Sequence, residues 1–154
     1  VSSPAPAGPA PGEGEDEAGG TVELSFPVRP DLVFLARMTG TAVASRAGFG
    51  IDQVEDLRLA IDELCLTVTG GGEDGRRRLR LSFEWGDHAI RVHGRLEAPA
   101  GDGATPAATP ETEIEATSTE LSERILDALV DEHGSEHVDG VTRAWMVVRR
   151  RHRP

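Results

Sequence analysis

The spacing of apolar residues changes period repeatedly along the chain, and each change calls for a different kind of element. Residues 21–26 (TVELSF) alternate, with Val22, Leu24 and Phe26 on one side, the period-2 mark of a half-buried strand that Pro27 and Pro30 should end. Across residues 31–48, Leu32, Leu35, Ala36, Thr39, Val43 and Ala47 recur at three and four, predicting a helix with Asp31 as N-cap and Gly48 beyond its C-terminus. Asp52 and Glu55 have the spacing of a capping box and open a second helix with Val54, Leu57, Ile61, Leu64, Cys65 and Val68 as its buried stripe. The run Gly70, Gly71, Gly72 stops it. Alternation returns at Leu79, Leu81 and Phe83 and again at Ile90, Val92 and Leu96, with Gly86 and Asp87 as a hairpin turn between. Thr117 and Glu120 are spaced as another capping box for a third helix that carries Leu121, Ile125, Leu126, Leu129 and Val130 to about His133. Residues 141–149 read as the last strand, with a short strand near His137 and Val138 before it. The order β-α-α-β-β-α-β predicts an α+β fold in which three helices cover one face of a mainly antiparallel sheet.

Composition limits what such a fold can bind. The 154 residues carry a net charge of −11, and all 16 basic side chains are Arg. Residues 1–20 and 97–118 are rich in Pro, Gly, Ala and acidic groups, which reads as a disordered tail and a flexible acidic loop around one domain at 21–150. These two segments hold −4 and −5, so the remainder is close to neutral at −2. An acidic total argues against nucleic acid or an anionic membrane as main partner. The single Cys65 excludes an internal disulfide, and the chain has neither a membrane-spanning apolar run nor a signal segment, so the expected location is cytoplasmic.

Three constellations have plain structural readings. His133 and His137 have a zinc-like spacing, but Gly134 lies between them where the helix should stop. Arg76, Arg77 and Arg78 and the terminal Arg149–Arg153 cluster read as solvated strand ends, with no nucleic-acid motif beside them. Cys65 lies on the apolar stripe next to Leu64 and Val68, as a buried thiol would. No Ser, His and Asp set is recognisable.

The stretch 27–69, PVRPDLVFLARMTGTAVASRAGFGIDQVEDLRLAIDELCLTVT, is specific. With its Pro-ended strand, a helix carrying Arg37 and running into Arg46, Ala47, Gly48 and Phe49, and then the run from Val54 to Cys65, it resembles the anti-sigma factor/serine kinases of the RsbW type. These belong to the GHKL (Bergerat, histidine kinase-like) ATPase superfamily, whose fold is a two-layer sandwich. The resemblance implies a Glu-x-x-x-Asn motif on the second helix, the Glu acting as general base and the Asn holding magnesium. Glu63 falls on the base position and Thr67 on the Asn position, as the candidate ligand for Mg²⁺ and nucleotide. An Asp-x-Gly-x-Gly loop that reads adenine would fall near Asp102 and Gly103, here in altered spacing. A Gly-rich turn receiving phosphate would fall at Ser118, Thr119, Glu120 and Leu121, which contain no glycine. The resemblance thus implies a regulator that sequesters a stress-type sigma factor and is countered by an anti-anti-sigma protein, with Arg37, Met38 and Arg46 as exposed contacts and a homodimer as one assembly. It also carries the alternative of an active ATP- and Mg²⁺-dependent protein serine kinase acting on that antagonist.

Overall fold

The computed structural model of the protein describes residues 19–99 and 113–151. Five strands, β1 (Gly20–Val28), β2 (Asp74–Trp85), β3 (Ala89–Glu97), β4 (Glu132–Val138) and β5 (Val141–Arg149), form one sheet in the order β1-β2-β3-β5-β4. Every neighbouring pair is antiparallel. The helices are α1 (Val33–Arg46), α2 (Ile51–Thr69) and α3 (Glu113–Leu129). The α+β class and the antiparallel sheet expected from the sequence are those the chain adopts.

Alternation along each strand decides which face is covered. Leu24 pairs with Leu81 and Phe26 with Leu79, Phe83 with Val92, and Val92 with Met146, so one apolar face runs across four strands. Leu57, Ile61, Leu64 and Val68 of α2 lie buried against it, and α1 and α3 flank that central helix. The opposite face carries Glu23, Arg80, His93, Arg95, Arg143 and Trp145. On it, Arg80 donates to Glu23 on β1 and to Glu97 on β3, both at 3.0 Å, stitching three strands together. The Arg80 guanidinium holds the Glu97 carboxyl below the usual carboxylate range.

Two glycines set the layer spacing. A Cβ on Gly94 would lie 3.1 Å from both Leu81 and Val68, so its bare backbone lets α2 approach β3 closely. A Cβ on Gly40 would lie 2.2 Å from the Ile61 Cδ1, which fixes how closely α1 meets α2. The C-terminal segment is clasped by Gln53, 6% exposed, whose amide donates to the Arg149 carbonyl at 2.8 Å and accepts from the Arg151 N–H at 3.0 Å.

Element ends differ from the sequence reading where side chains found other partners. β1 continues through Pro27 to Val28, with a register shift between them, which an edge strand tolerates. Asp31 does not cap α1. It lies in a 3₁₀ turn, Pro30–Leu32, and pairs with Arg29. α2 starts one residue before Asp52 with Gly50 as N-cap, and Glu55 pairs with Arg58 instead of closing a capping box. α3 begins at Glu113, so Thr117 and Glu120 lie inside the helix, and part of the segment expected as loop is helical. That helix stops at Leu129, well before His133, because β4 takes up residues 132–138 as a full strand against β5. Residues 1–18 and 100–112, where most of the expected tail and loop fall, lie outside the described residues.

Because Ile61 is fully buried and cannot swing into solvent, Gly40→Val should destabilise the fold by about 1–3 kcal/mol, read as a lowered urea midpoint at unchanged slope. A midpoint equal to that of the wild-type chain would show that the α1·α2 contact is not tight.

Candidate functional site

The buried stripe of α2 leaves one flank of that helix turned toward α3, and Glu63 and Thr67, four residues apart, share it. Ser122 of α3, only 2% exposed, meets Glu63 there. Its hydroxyl donates to the Glu63 Oε2 at 2.8 Å, so the carboxylate is held by a buried donor on the neighbouring helix. Thr67 turns the other way: its hydroxyl donates to the Glu63 main-chain carbonyl at 2.9 Å, one turn back along the helix.

That geometry tests the fit of a magnesium ion. Mg²⁺ prefers near-octahedral oxygen coordination, with carboxylates and phosphates supplying most of the protein and substrate ligands. Thr67 offers a single neutral oxygen folded back on its own helix, and no group of three or more His, Cys, Asp or Glu side chains gathers among the described residues. The donor set does not fit the ion, and no chemical step is derived through it. Asp102 and Gly103 lie outside the described residues.

The expected phosphate-binding turn is also displaced. Ser118, Thr119, Glu120 and Leu121 are more than a turn inside α3, which starts at Glu113. Main-chain amides there bond to carbonyls four residues earlier and are not the free donors of a helix N-terminus.

Other candidates resolve into structural roles. Arg37, expected as an exposed contact, is half-buried in the α1·α2 seam and ion-paired to Asp62 at 3.0 Å, whereas Met38 and Arg46 are exposed as expected. Cys65 is buried, and desolvation, with a smaller contribution from the Asp62 charge, pushes its thiol up to about 12. His133 contacts Asp127 at 2.7 Å, and His137 contacts the Thr142 hydroxyl at 2.9 Å, both from β4. A polar groove of about 490 Å³ crosses the open face of the sheet between Arg80, Arg95, Arg143 and Trp145. It lies on the other side of the sheet from Glu63, and each of those guanidiniums has a carboxylate within ion-pair distance.

Ser122 was missed from sequence, yet a signal exists. It precedes the buried Leu126 by four residues, so it places a hydroxyl on the apolar stripe of α3, where a polar atom needs a partner. Gln53, four residues before Leu57, gives the same signal on α2.

No family model matches the chain. Comparison with known proteins finds 26% identity over 130 residues with the serine-protein kinase RsbW of Bacillus subtilis, covering 79% of this chain and 81% of that protein. The chain is similar to the RsbW proteins, and it spans about two fifths of the length of the first of these relatives it matches. Shorter matches reach 33% over 66 residues with RsbW of Bacillus pumilus and 32% over 63 residues with RsbW of Halalkalibacterium halodurans. These span 41% and 39% of those relatives and 39% and 41% of this chain. RsbW belongs to the GHKL superfamily, and the two-layer α+β architecture described above is compatible with it.

Removing the Ser122 donor while leaving Glu63 in place should cost about 1–2 kcal/mol in Ser122→Ala, measured by urea denaturation, because the carboxylate loses a charge-assisted hydrogen bond. Cys65 generates a pH dependence. An unfolded thiol ionises near 9 and the folded one near 12, so its contribution is fully present below pH 9 and is lost progressively as pH rises from 9 to 12. Cys65→Ala should flatten that alkaline decline, and an equally steep decline in the variant would assign it to other groups.

Proposed function

We propose that the protein is an anti-sigma regulatory protein, acting in the cytoplasm, that binds and sequesters a stress-type sigma factor and is countered by an anti-anti-sigma partner, through residues 21–150 as one histidine kinase-like domain with a degenerate nucleotide site. The observation that carries this reading is the hydrogen bonding of Glu63 and Thr67. Both groups at the positions of base and metal ligand are engaged within the protein, the carboxylate by Ser122 and the hydroxyl by the Glu63 carbonyl. What remains is a helical layer with exposed side chains such as Met38 and Arg46, suited to contact with another protein. None of the described helices is long and apolar enough to cross a membrane, which agrees with action in solution.

The relatives' name, serine-protein kinase, keeps one specific alternative in view. In it Glu63 would accept the proton of a serine hydroxyl on the antagonist while ATP supplies the phosphoryl group.

Purified protein, the sigma factors of the same organism and their antagonists decide between the two. The expected outcome is micromolar or tighter binding to a sigma factor, displaced by the antagonist and unchanged by Mg-ATP or by Glu63→Ala. Millimolar ATP or ADP should leave Tm unchanged, whereas a ligand at one hundred times its Kd would stabilise by about 2.7 kcal/mol. Transfer of labelled phosphate from ATP to the antagonist, lost in Glu63→Ala, would establish the kinase and overturn the proposal.

A further inference from the structure

Both ends of the described chain come to the turn between β2 and β3. Gly19 passes close on one side of it: a Cβ there would lie 2.6 Å from the Trp85 carbonyl oxygen and 3.4 Å from the Gly86 Cα. On the other side the Arg150 N–H donates to the His88 carbonyl at 2.7 Å. Gln53 holds the main chain before and after Arg150, and the Arg150 guanidinium donates to the Ala47 carbonyl, just past α1, at 3.3 Å. These bonds fix Arg150 and Arg151 at the end of the sheet where β1 begins. They lie against the α1–α2 junction, which also carries the exposed Arg46.

The charge on these arginines is not used by the folded body. Arg149 pairs with Glu132, but among the described residues no carboxylate lies within ion-pair distance of Arg46, Arg150 or Arg151, and the acceptor of Arg150 is a neutral carbonyl. The sequence before Gly19 supplies the opposite charge: Glu13, Glu15, Asp16 and Glu17 fall within five residues, and no basic side chain occurs before Arg29. β5 is three strand spacings from β1, about 14 Å. An extended chain covers about 3.3–3.6 Å per residue, so Glu15 and Glu13, four and six residues before Gly19, can reach β5. Arg76 and Arg77 also lack a carboxylate partner, but they lie at the far end of β2, about 26 Å from Trp85 and beyond that reach. Arg91 lacks one too, yet its place between the buried Ile90 and Val92 puts it on the open face of the sheet, away from the α1–α2 junction.

We propose that the acidic run Glu13–Glu17 docks in cis on Arg150 and Arg151, with Arg46 beside them, and so shields the α1–α2 junction from other acidic partners. The inference goes beyond the anti-sigma reading and does not depend on it. An exposed ion pair is weak by itself, but a short covalent tether supplies a local concentration on the order of millimolar, and four carboxylates share the site. The contact is therefore an internal competitor that salt screens and that neutralising the run removes.

Two measurements on the full chain test it. A nitroxide attached to Gly14→Cys, with the buried Cys65 left unmodified, should broaden the amide NMR signals of residues 46–50 and 150–151 in about 0.05 M NaCl. The broadening should fade in about 0.5 M NaCl, where the Debye length falls from about 14 Å to about 4 Å. It should also be lost when Glu13→Gln, Glu15→Gln, Asp16→Asn and Glu17→Gln neutralise the run. In the second measurement a labelled peptide of sequence GEGEDEA should bind this neutralised chain roughly threefold or more tightly than the wild-type chain, because no internal run competes. Adding Arg150→Gln and Arg151→Gln to the neutralised chain should abolish that binding. The tail substitutions change no residue of the sheet or helices, so the broadening reads docking even if the arginine variant melts early. Broadening confined to residues 19–22, or unchanged by salt and by neutralising the run, would overturn the proposal. Equal peptide binding to the wild-type and neutralised chains would assign the arginines to an external acidic partner and overturn it as well. A dimer in sedimentation equilibrium at low salt that neutralising the run dissolves would place the run on a second copy, against docking in cis.

Discussion

The close seat of α2 on the sheet is the contact on which the other features depend. A helix carrying Leu57, Ile61, Leu64 and Val68 on one side buries those groups fully only where the sheet lets its backbone come near, and Gly94 on β3 provides that approach. With α2 in place, Gly40 brings α1 against Ile61, and Ser122 ties α3 to Glu63. Gln53 at the other end of the helix holds the chain after β5 through its two amide bonds. One helix therefore sets the position of both of its neighbours and of the C-terminal segment.

The same helix explains why the site looks like a reaction centre in sequence and like a contact in three dimensions. Glu63 and Thr67 have the spacing that puts two polar groups on one flank. In the folded chain that flank is closed by Ser122, and the Thr67 hydroxyl bonds back to its own helix, so both groups are satisfied without a ligand. Buried or half-buried polar atoms require partners, and here the partners are internal. The site's polar chemistry and the seam between α2 and α3 are one set of hydrogen bonds.

The two faces of the sandwich are finished in different ways. On the open side of the sheet, charges are interleaved and paired, as in Arg80 with Glu23 and Glu97, so its groove is electrostatically balanced. On the helical side, Met38 and Leu59 stand exposed, and α2 carries five acidic residues against one Arg. Paired charges on a surface contribute little to stability.

Much of this was legible in the residues alone. Period-2 and period-3.6 spacing gave all three helices and four of the five strands, because burial of one face requires it, whereas β4 was read only as a short strand near His137 and Val138, since its exposed edge carries no apolar alternation. The run of 27–69 carried the likeness to RsbW. Element ends escaped the sequence. Asp31, Asp52 and Thr117 have capping chemistry, but Asp31 pairs with Arg29, Gly50 caps α2, and α3 begins before Thr117, choices that depend on neighbours in space or on where a helix nucleates. The partners of Arg37 and Glu63 were equally out of reach: Asp62 is 25 residues away and Ser122 is 59, and only tertiary packing brings such pairs within hydrogen-bond distance. Local periodicity was thus fixed by the chain itself, whereas which polar groups satisfy one another was decided by the fold, since that depends on distances that exist only after α2 has seated on the sheet.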